Sequence, residues 1–461
     1  MAAFASAWTG GPGVAVNRAG RAVLLALLCS VLATVAAVAV IAGIRDEPGP
    51  VPNGPDGDGG TVAWSVETAT GSWDAHVVGD TAVVLDGKRL LGLNAADGNL
   101  RWSLPFAGEG TTFTVAGGMV AVQRGTDGPV DVVAPDAGRI VWSTPGAVRM
   151  VARDDALYLD SCPDRDEPAD DCAIVKRRIA DGATAWSVPD PPFLLQEDVI
   201  GGRPPLAPPA AAYLPVTTSS PGKNAQGALL DAASGRLLPG RVGPRGWYVL
   251  AAGDLLVTTD HDPPRGARDC PVAVDAVDGR SGRPAWKGVV YSGRRAGDEC
   301  RRRLSDSLGG TVMFGSGGAI AAVDRNDRTT LTDLRTGKVR WTAEKPGVPI
   351  ACDERTLLVR DNGESGPVSL LGLDDGRPLW TVPDPGLASS SASWESAVAG
   401  DLVAVMSATG DRPYVQVHDA RTGRQLARRG GWLTGIGDGW VMVSTSAGAT
   451  GAHLKLYLLR F

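Results

Sequence analysis

The densest gathering of groups that could act on a ligand is one short segment of this 461-residue chain. Cys162-Pro163-Asp164-Arg165-Asp166-Glu167-Pro168-Ala169-Asp170-Asp171-Cys172 sets five carboxylates between two cysteines. Such density would suit a calcium ion or a basic partner, but a run of acids is ordinarily a solvated loop tip. Asp56-Gly57-Asp58 reaches Glu67 at the spacing of a calcium-binding EF-hand loop. Gly60 and Thr61 then occupy the places that need an oxygen ligand and the turn glycine, so that reading fails. The four histidines, His76, His261, His418 and His453, stand far apart with no ligand spacing between any two, and no paired-cysteine zinc motif exists. No Gly-x-Ser-x-Gly elbow precedes a helix, which argues against a serine hydrolase. The sequence therefore offers no catalytic, cofactor or metal residues. A formal net charge of −6, with no lysine-rich stripe, gives no sign of nucleic-acid binding.

The cysteines point instead to a compartment. Cys162 and Cys172 flank one loop and Cys270 and Cys300 flank another, a spacing that suits two local disulfides in an oxidising environment. Cys352 is left over and reads as a small buried hydrophobe, with a Cys300 to Cys352 bridge as the alternative. Cys29 falls in an apolar run near the N-terminus.

Behind these loops lies a repeated phrase of glycine, three residues, tryptophan. It starts at Gly98, Gly138, Gly182, Gly282, Gly337 and Gly376 and ends at Trp102, Trp142, Trp186, Trp286, Trp341 and Trp380. Gly235 and Gly423 open the same phrase without the tryptophan. Intervals of 39 to 55 residues between these glycines, filled with short alternating or β-branched runs, are the mark of a β-propeller. One unit reads as four strands, Ala75 to Gly79, Thr81 to Asp86, Arg89 to Ala95 and Leu100 to Leu104. The glycine suits the last hairpin, and its predecessor is a small residue able to bond the turn backbone. A tryptophan on the outer strand can bury ~150–250 Å² against the next blade, so Trp64, Trp102, Trp142, Trp186, Trp286, Trp341 and Trp380 read as blade-docking residues.

The phrase resembles the repeat of the PQQ-like (pyrroloquinoline-quinone) propellers of the quinoprotein alcohol dehydrogenase-like superfamily. The nearest matches are Thr332-Asp333-Leu334-Arg335-Thr336-Gly337-Lys338-Val339-Arg340-Trp341 and His418-Asp419-Ala420-Arg421-Thr422-Gly423, the latter running on to Ala427. The resemblance spans residues 61–461 and implies an all-β fold. For function it implies either a quinone-dependent dehydrogenase or a scaffold that binds no quinone. A dehydrogenase of this kind should show an acidic base, calcium-binding carboxylate and amide groups and typically adjacent cysteines; no adjacent cysteines occur here.

Ring closure is also legible. Val62-Ala63-Trp64-Ser65-Val66 matches the outer strands around Trp102 and Trp186 yet has no inner strands before it. Trp440 to Ser444 and His453 to Arg460 are inner-type strands with no outer strand after them. The two ends should complete one blade and so remove an open sheet edge. Eight phrases and the shared blade make nine units, whereas propellers have four to eight blades. The expectation is therefore eight blades, within a range of seven to nine, with irregularity at Pro189 to Pro244 and at Gly288 to Gly318.

Residues Ala22 to Ile44 carry no charge over 23 positions, about 34 Å as a helix, enough to cross a bilayer. Arg18 and Arg21 precede the run, and Asp46 and Glu47 follow it. The expectation is a cytoplasmic tail (1–21), one transmembrane helix (22–44), a flexible Pro/Gly linker (45–60) and an extracytoplasmic propeller (61–461). A cleaved signal peptide is the competing reading, although its apolar core is usually 7 to 15 residues. Arginine far outnumbers lysine and Ala and Gly abound, which leans toward a high-GC bacterium. Together these features suggest a non-enzymatic, membrane-tethered scaffold that binds a protein or glycan partner at a bacterial cell surface. The alternative is a PQQ-dependent dehydrogenase.

Overall fold

The computed structural model describes residues 61–461 apart from 70–74, 88, 107–110, 126–127, 162–171, 190–192, 196–211, 219–225, 242–247, 261–270, 292–312, 316–317, 362–365, 384–395, 410–411 and 448–452. The expected tail, transmembrane helix and linker lie outside the described residues, as does most of the acidic segment between Cys162 and Cys172. Among the described residues there is no helix; the chain is an all-β, eight-bladed propeller in which every pairing of neighbouring strands is antiparallel.

The first unit sets the pattern. Strands Ala75–Val78, Thr81–Asp86, Arg89–Asn94 and Leu100–Pro105 pair in sequence order as one sheet, and the same order recurs along the chain. The middle strands are buried on both faces. In Thr81–Asp86 the side chains of Ala82 and Val84 pack toward the preceding sheet and those of Val83 and Leu85 toward the following one. That is why these strands read as unbroken apolar runs rather than strict alternation. Nine hydrophobic clusters result, each shared by two consecutive units, and the last joins the unit around Trp440 back to the first.

Nine sequence units give eight sheets because two of them fuse. Tyr291, at the end of the outer strand Pro284–Tyr291, pairs with Val323 of the next unit, so residues 248–346 form a single eight-stranded sheet. The other irregular unit, at 193–231, has three strands; its outer strand shrinks to one bridge between Leu230 and Leu237. Both departures fall in the two regions whose sequence breaks the pattern.

The closing sheet takes three strands from one end of the chain, Trp432–Gly437, Trp440–Ala447 and His453–Arg460, and its outer strand, Thr61–Ala69, from the other. Register runs from Thr61 opposite Arg460 to Ala69 opposite His453, with a bulge between Val62 and Trp64. No edge is left at the junction.

Candidate binding face

Antiparallel connectivity gives the ring two unlike faces. First-to-second and third-to-fourth connections emerge on one of them and in most units are tight turns, such as Gly79–Asp80, Gly117–Gly118 and Gly400–Asp401; the fourth unit departs from this with 17 residues between Leu195 and Tyr213. Second-to-third connections, and those from one unit to the next, emerge on the opposite face. They include four long gaps between strands, 162–172, 261–270, 292–312 and 383–396. One face is thus a turn face and the other a loop face.

At the turn face seven interfaces are clamped by an indole. Trp64 donates its N–H to the carbonyl of Ala95 at 3.1 Å, Trp102 to Pro135 at 2.7 Å and Trp142 to Ile179 at 2.7 Å. Trp186 donates to Ala232 at 3.1 Å, Trp286 to Leu334 at 2.8 Å, Trp341 to Leu373 at 2.8 Å and Trp380 to Ala420 at 2.8 Å. Every acceptor lies three residues before a turn glycine of the next unit. The ring itself covers that glycine: a Cβ on Gly138 would sit 2.3 Å from the Trp102 ring, and its φ of 62° favours glycine for a second reason.

The turns beneath these rings hold themselves closed with aspartates. Asp278 accepts from the backbone N–H groups of Arg280 and Ser281 and from the Ser281 hydroxyl at 2.6–3.1 Å. These bonds hold its carboxyl below the usual carboxylate range, the backbone bond from Ser281 most of all. Asp231 is lowered in the same way by the Ser234 backbone. Burial pushes Asp333 and Asp419 up, but their hydrogen bonds, from Arg340 and Thr336 and from Thr422 and Arg421 respectively, bring both carboxyls down overall. This aspartate stands four residues before the glycine, as Asp333 and Asp419 do in the two nearest matches to the repeat, and its bonds to the turn explain why the repeat carries it.

At the loop face buried polar side chains join adjacent units. Gln123 donates to the carbonyl of Ala147 in the next unit at 2.6 Å, and Asp160 accepts the Leu195 N–H at 2.8 Å. Arg360, fully buried, donates to the Met406 carbonyl at 2.8 Å and the Ser407 hydroxyl at 3.1 Å. Within the second unit Asp131 is buried and held by Arg124 and Ser143. Buried polar groups survive only when bonded, so these groups fix the strand ends from which the loops depart. None of them was visible in the sequence pattern, since each sits in a strand otherwise read for its apolar residues.

Of the four cysteines expected to pair, Cys172 alone is among the described residues, and it is disulfide-bonded. Cys352 is buried against the cluster around Leu357 and Leu371. Among the described residues no three His, Cys, Asp or Glu side chains are placed to hold a metal ion. The seven repeat tryptophans are engaged between blades.

The chain matches one family model, that of the PQQ_2 repeat, described as outer membrane protein assembly factor BamB, over residues 54–262 and 272–430. No curated protein matches it. Solved structures similar to it include BamB from Moraxella catarrhalis, 14% identical, covering 87% of this chain and 100% of that one, with a TM-score of 0.42. A europium-containing methanol dehydrogenase is 12% identical over 87% of this chain and 93% of its own, at a TM-score of 0.39. A eukaryotic initiation factor is 11% identical over 78% and 88%, at 0.48.

Proposed function

The chain belongs to the PQQ_2 family, described as outer membrane protein assembly factor BamB, and from that premise we propose that it is a non-enzymatic, membrane-tethered extracytoplasmic scaffold whose loop face captures a protein or glycan partner. The observation that carries the reading is the contrast between the faces. Outside the fourth unit the turn face is closed by short turns and indole clamps, whereas the loop face carries long connections in several units on strand ends fixed by buried polar bonds. Recognition residues sit disproportionately on loops held by a rigid frame. The tether would be Ala22 to Ile44, and the pairs Cys162 with Cys172 and Cys270 with Cys300 would brace two of the loops.

The test is photo-cross-linking in cells with the full chain. Replacing 163–171 or 293–311 by Gly/Ser segments of equal length should abolish a specific cross-linked partner, while Ala96→Ser and Ala233→Ser on the turn face should not. Saturable quinone binding with calcium-dependent oxidation of an alcohol or sugar would overturn the scaffold reading in favour of a dehydrogenase.

A further inference from the structure

One buried side chain breaks the repeat in a way that the scaffold reading does not use. Five residues before each turn glycine the units carry Leu93, Val133, Arg177, Leu230, Val277, Thr332, Leu371 and His418. Most are apolar. In the eighth of these units His418 is almost fully buried, places Nδ1 3.0 Å from the carbonyl of Gly423, and stacks on Trp380 at 5.8 Å between ring centroids and 27° between planes. Trp380 is the ring that crosses from the preceding unit to cover Gly423. A carbonyl accepts only, so Nδ1 bears the proton and the neutral ring leaves Nε2 as a bare acceptor, buried with no hydrogen-bond partner among the described residues.

Arg177 provides an internal comparison. It occupies the same place, donates to the carbonyl of its own turn glycine, Gly182, at 3.0 Å, and lies over the incoming ring of Trp142 at 5.9 Å. Arg177 is only partly buried, although its Nε is itself buried without a hydrogen-bond partner among the described residues, and its guanidinium is charged throughout the accessible pH range. His418 makes the same two contacts from an almost fully buried ring whose charge can change.

Among the described residues no charged side chain is bonded to His418. Its cross-strand neighbours are Val403 and Gln425, and the ring against it is Trp380. The charged side chains of the adjoining turn are Asp419, Arg421 and Arg424; Asp419 is bonded to the turn backbone and Arg421 to Asp401. Protonation would place a new N–H and a positive charge at Nε2 inside a dry seam, the arrangement that costs most when no partner exists.

We propose that His418 is an acid-sensitive latch on the interblade seam made by Trp380 and Gly423, closed when its ring is neutral and loosened when Nε2 takes up a proton. The direction of the shift follows from the same geometry: burial pushes the His418 ring below the usual imidazole range, and the Gly423 bond opposes this only in part. The sign follows. A histidine lowered on folding contributes stability that is whole above about pH 6.5 and is lost as pH falls toward its folded value. Each unit of lowering corresponds to a tenfold rise in the opened population across that window.

The test is hydrogen exchange of the full chain in mild detergent between pH 7.5 and 5.0, corrected for intrinsic rates. Protection over Pro378–Val382 and over 420–424 should fall about tenfold or more in the parent chain, while the Trp142 seam with Arg177 stays unchanged. His418→Leu, which copies the residue of three other units, and His418→Gln, which can still donate to Gly423, should both abolish the acid loss at that seam. The same acid loss in either variant, or an imidazole proton resonance titrating at or above pH 6.5 for His418, would overturn the proposal. If the leucine variant does not fold, the glutamine variant decides alone.

Discussion

Gly240 donates its backbone N–H to the carbonyl of Gly279 at 2.8 Å. Gly279 lies three residues before the turn glycine Gly282, so this is the very acceptor that receives an indole N–H at seven other interfaces. Where a tryptophan would stand, four residues after Gly235, the chain has Pro239, and the backbone that follows reaches the neighbour itself. The missing ring is replaced by direct contact of two main chains, which requires glycine on the approaching side.

A Cβ on Gly240 would lie 2.7 Å from the carbonyl oxygens of Asp278 and Gly279. Gly240→Ala should therefore separate the fourth and fifth units and destabilise the fold by about 1–3 kcal/mol through overpacking. Gly79→Ala, which meets nothing within 4 Å but has a φ of 61°, should cost only the backbone penalty of about 1 kcal/mol. Urea unfolding of the two variants gives the comparison. Equal midpoints would mean that the seam carries no strain from the added methyl.

The second interface without a repeat tryptophan has a different cause. Ala427 occupies the tryptophan place in the eighth unit, facing a closing sheet whose outer strand comes from Thr61–Ala69. That sheet has no hairpin between its third and fourth strands, hence no turn glycine to receive a ring. Ala427 and Phe461 instead pack on the same cluster, around Leu433 and Leu459.

The indole clamp should divide into two measurable parts. Trp341→Phe keeps most of the buried ring over Gly376 but loses the 2.8 Å bond to Leu373, a loss of about 1 kcal/mol. Trp341→Ala removes the ring as well and should cost about 3–5 kcal/mol. Gly376→Ala puts a Cβ 2.5 Å from that ring. It should be much less harmful in the Trp341→Ala background than in the parent, and additive costs in a double-mutant cycle would deny that the two residues act through each other.

The contrast between what could and could not be read from sequence follows from period. Glycine and tryptophan recur at fixed offsets, so the turns, the docking rings and the closing strand announce themselves. The double sheet at 248–346 does not, because it depends on one pairing, Tyr291 with Val323, across a long interval. The loop-face polar bonds are equally silent. Asp131, Asp160 and Arg360 occur once each, in different units and at different offsets, and become meaningful only when the strand ends are brought together.

Acid should weaken the turn face in a defined window. Asp231, Asp278, Asp333 and Asp419 all sit below the usual carboxylate range, the first two chiefly through backbone bonds from Ser234 and Ser281, the last two despite burial. A carboxyl lowered on folding contributes stability that is present above about pH 4 and is lost as pH falls through its folded value. Stability measured by urea should therefore fall steeply below pH 4. Asp278→Asn retains an oxygen for the two backbone donors, so it should remain folded at pH 7 and show a shallower slope there. An unchanged slope would place the acid sensitivity elsewhere.

The ring should depend on its borrowed strand. The carbonyl of Ala95 accepts from both Trp64 Nε1 at 3.1 Å and Arg460 Nη2 at 3.2 Å, so the outer strand, the strand beside it and the first unit meet at one atom. Without residues 61–69 the edge of His453–Arg460 would lie bare, and the cluster of Ala75, Leu93, Met442 and Leu458 would lose Trp64. A chain starting at residue 75 should therefore self-associate through that edge. A synthetic peptide of residues 61–69 should return it to a monomer, whereas the same peptide with Trp64→Ala should do so poorly. Analytical ultracentrifugation with and without peptide measures this, and a stable monomer without it would show that closure rests on the remaining interfaces alone.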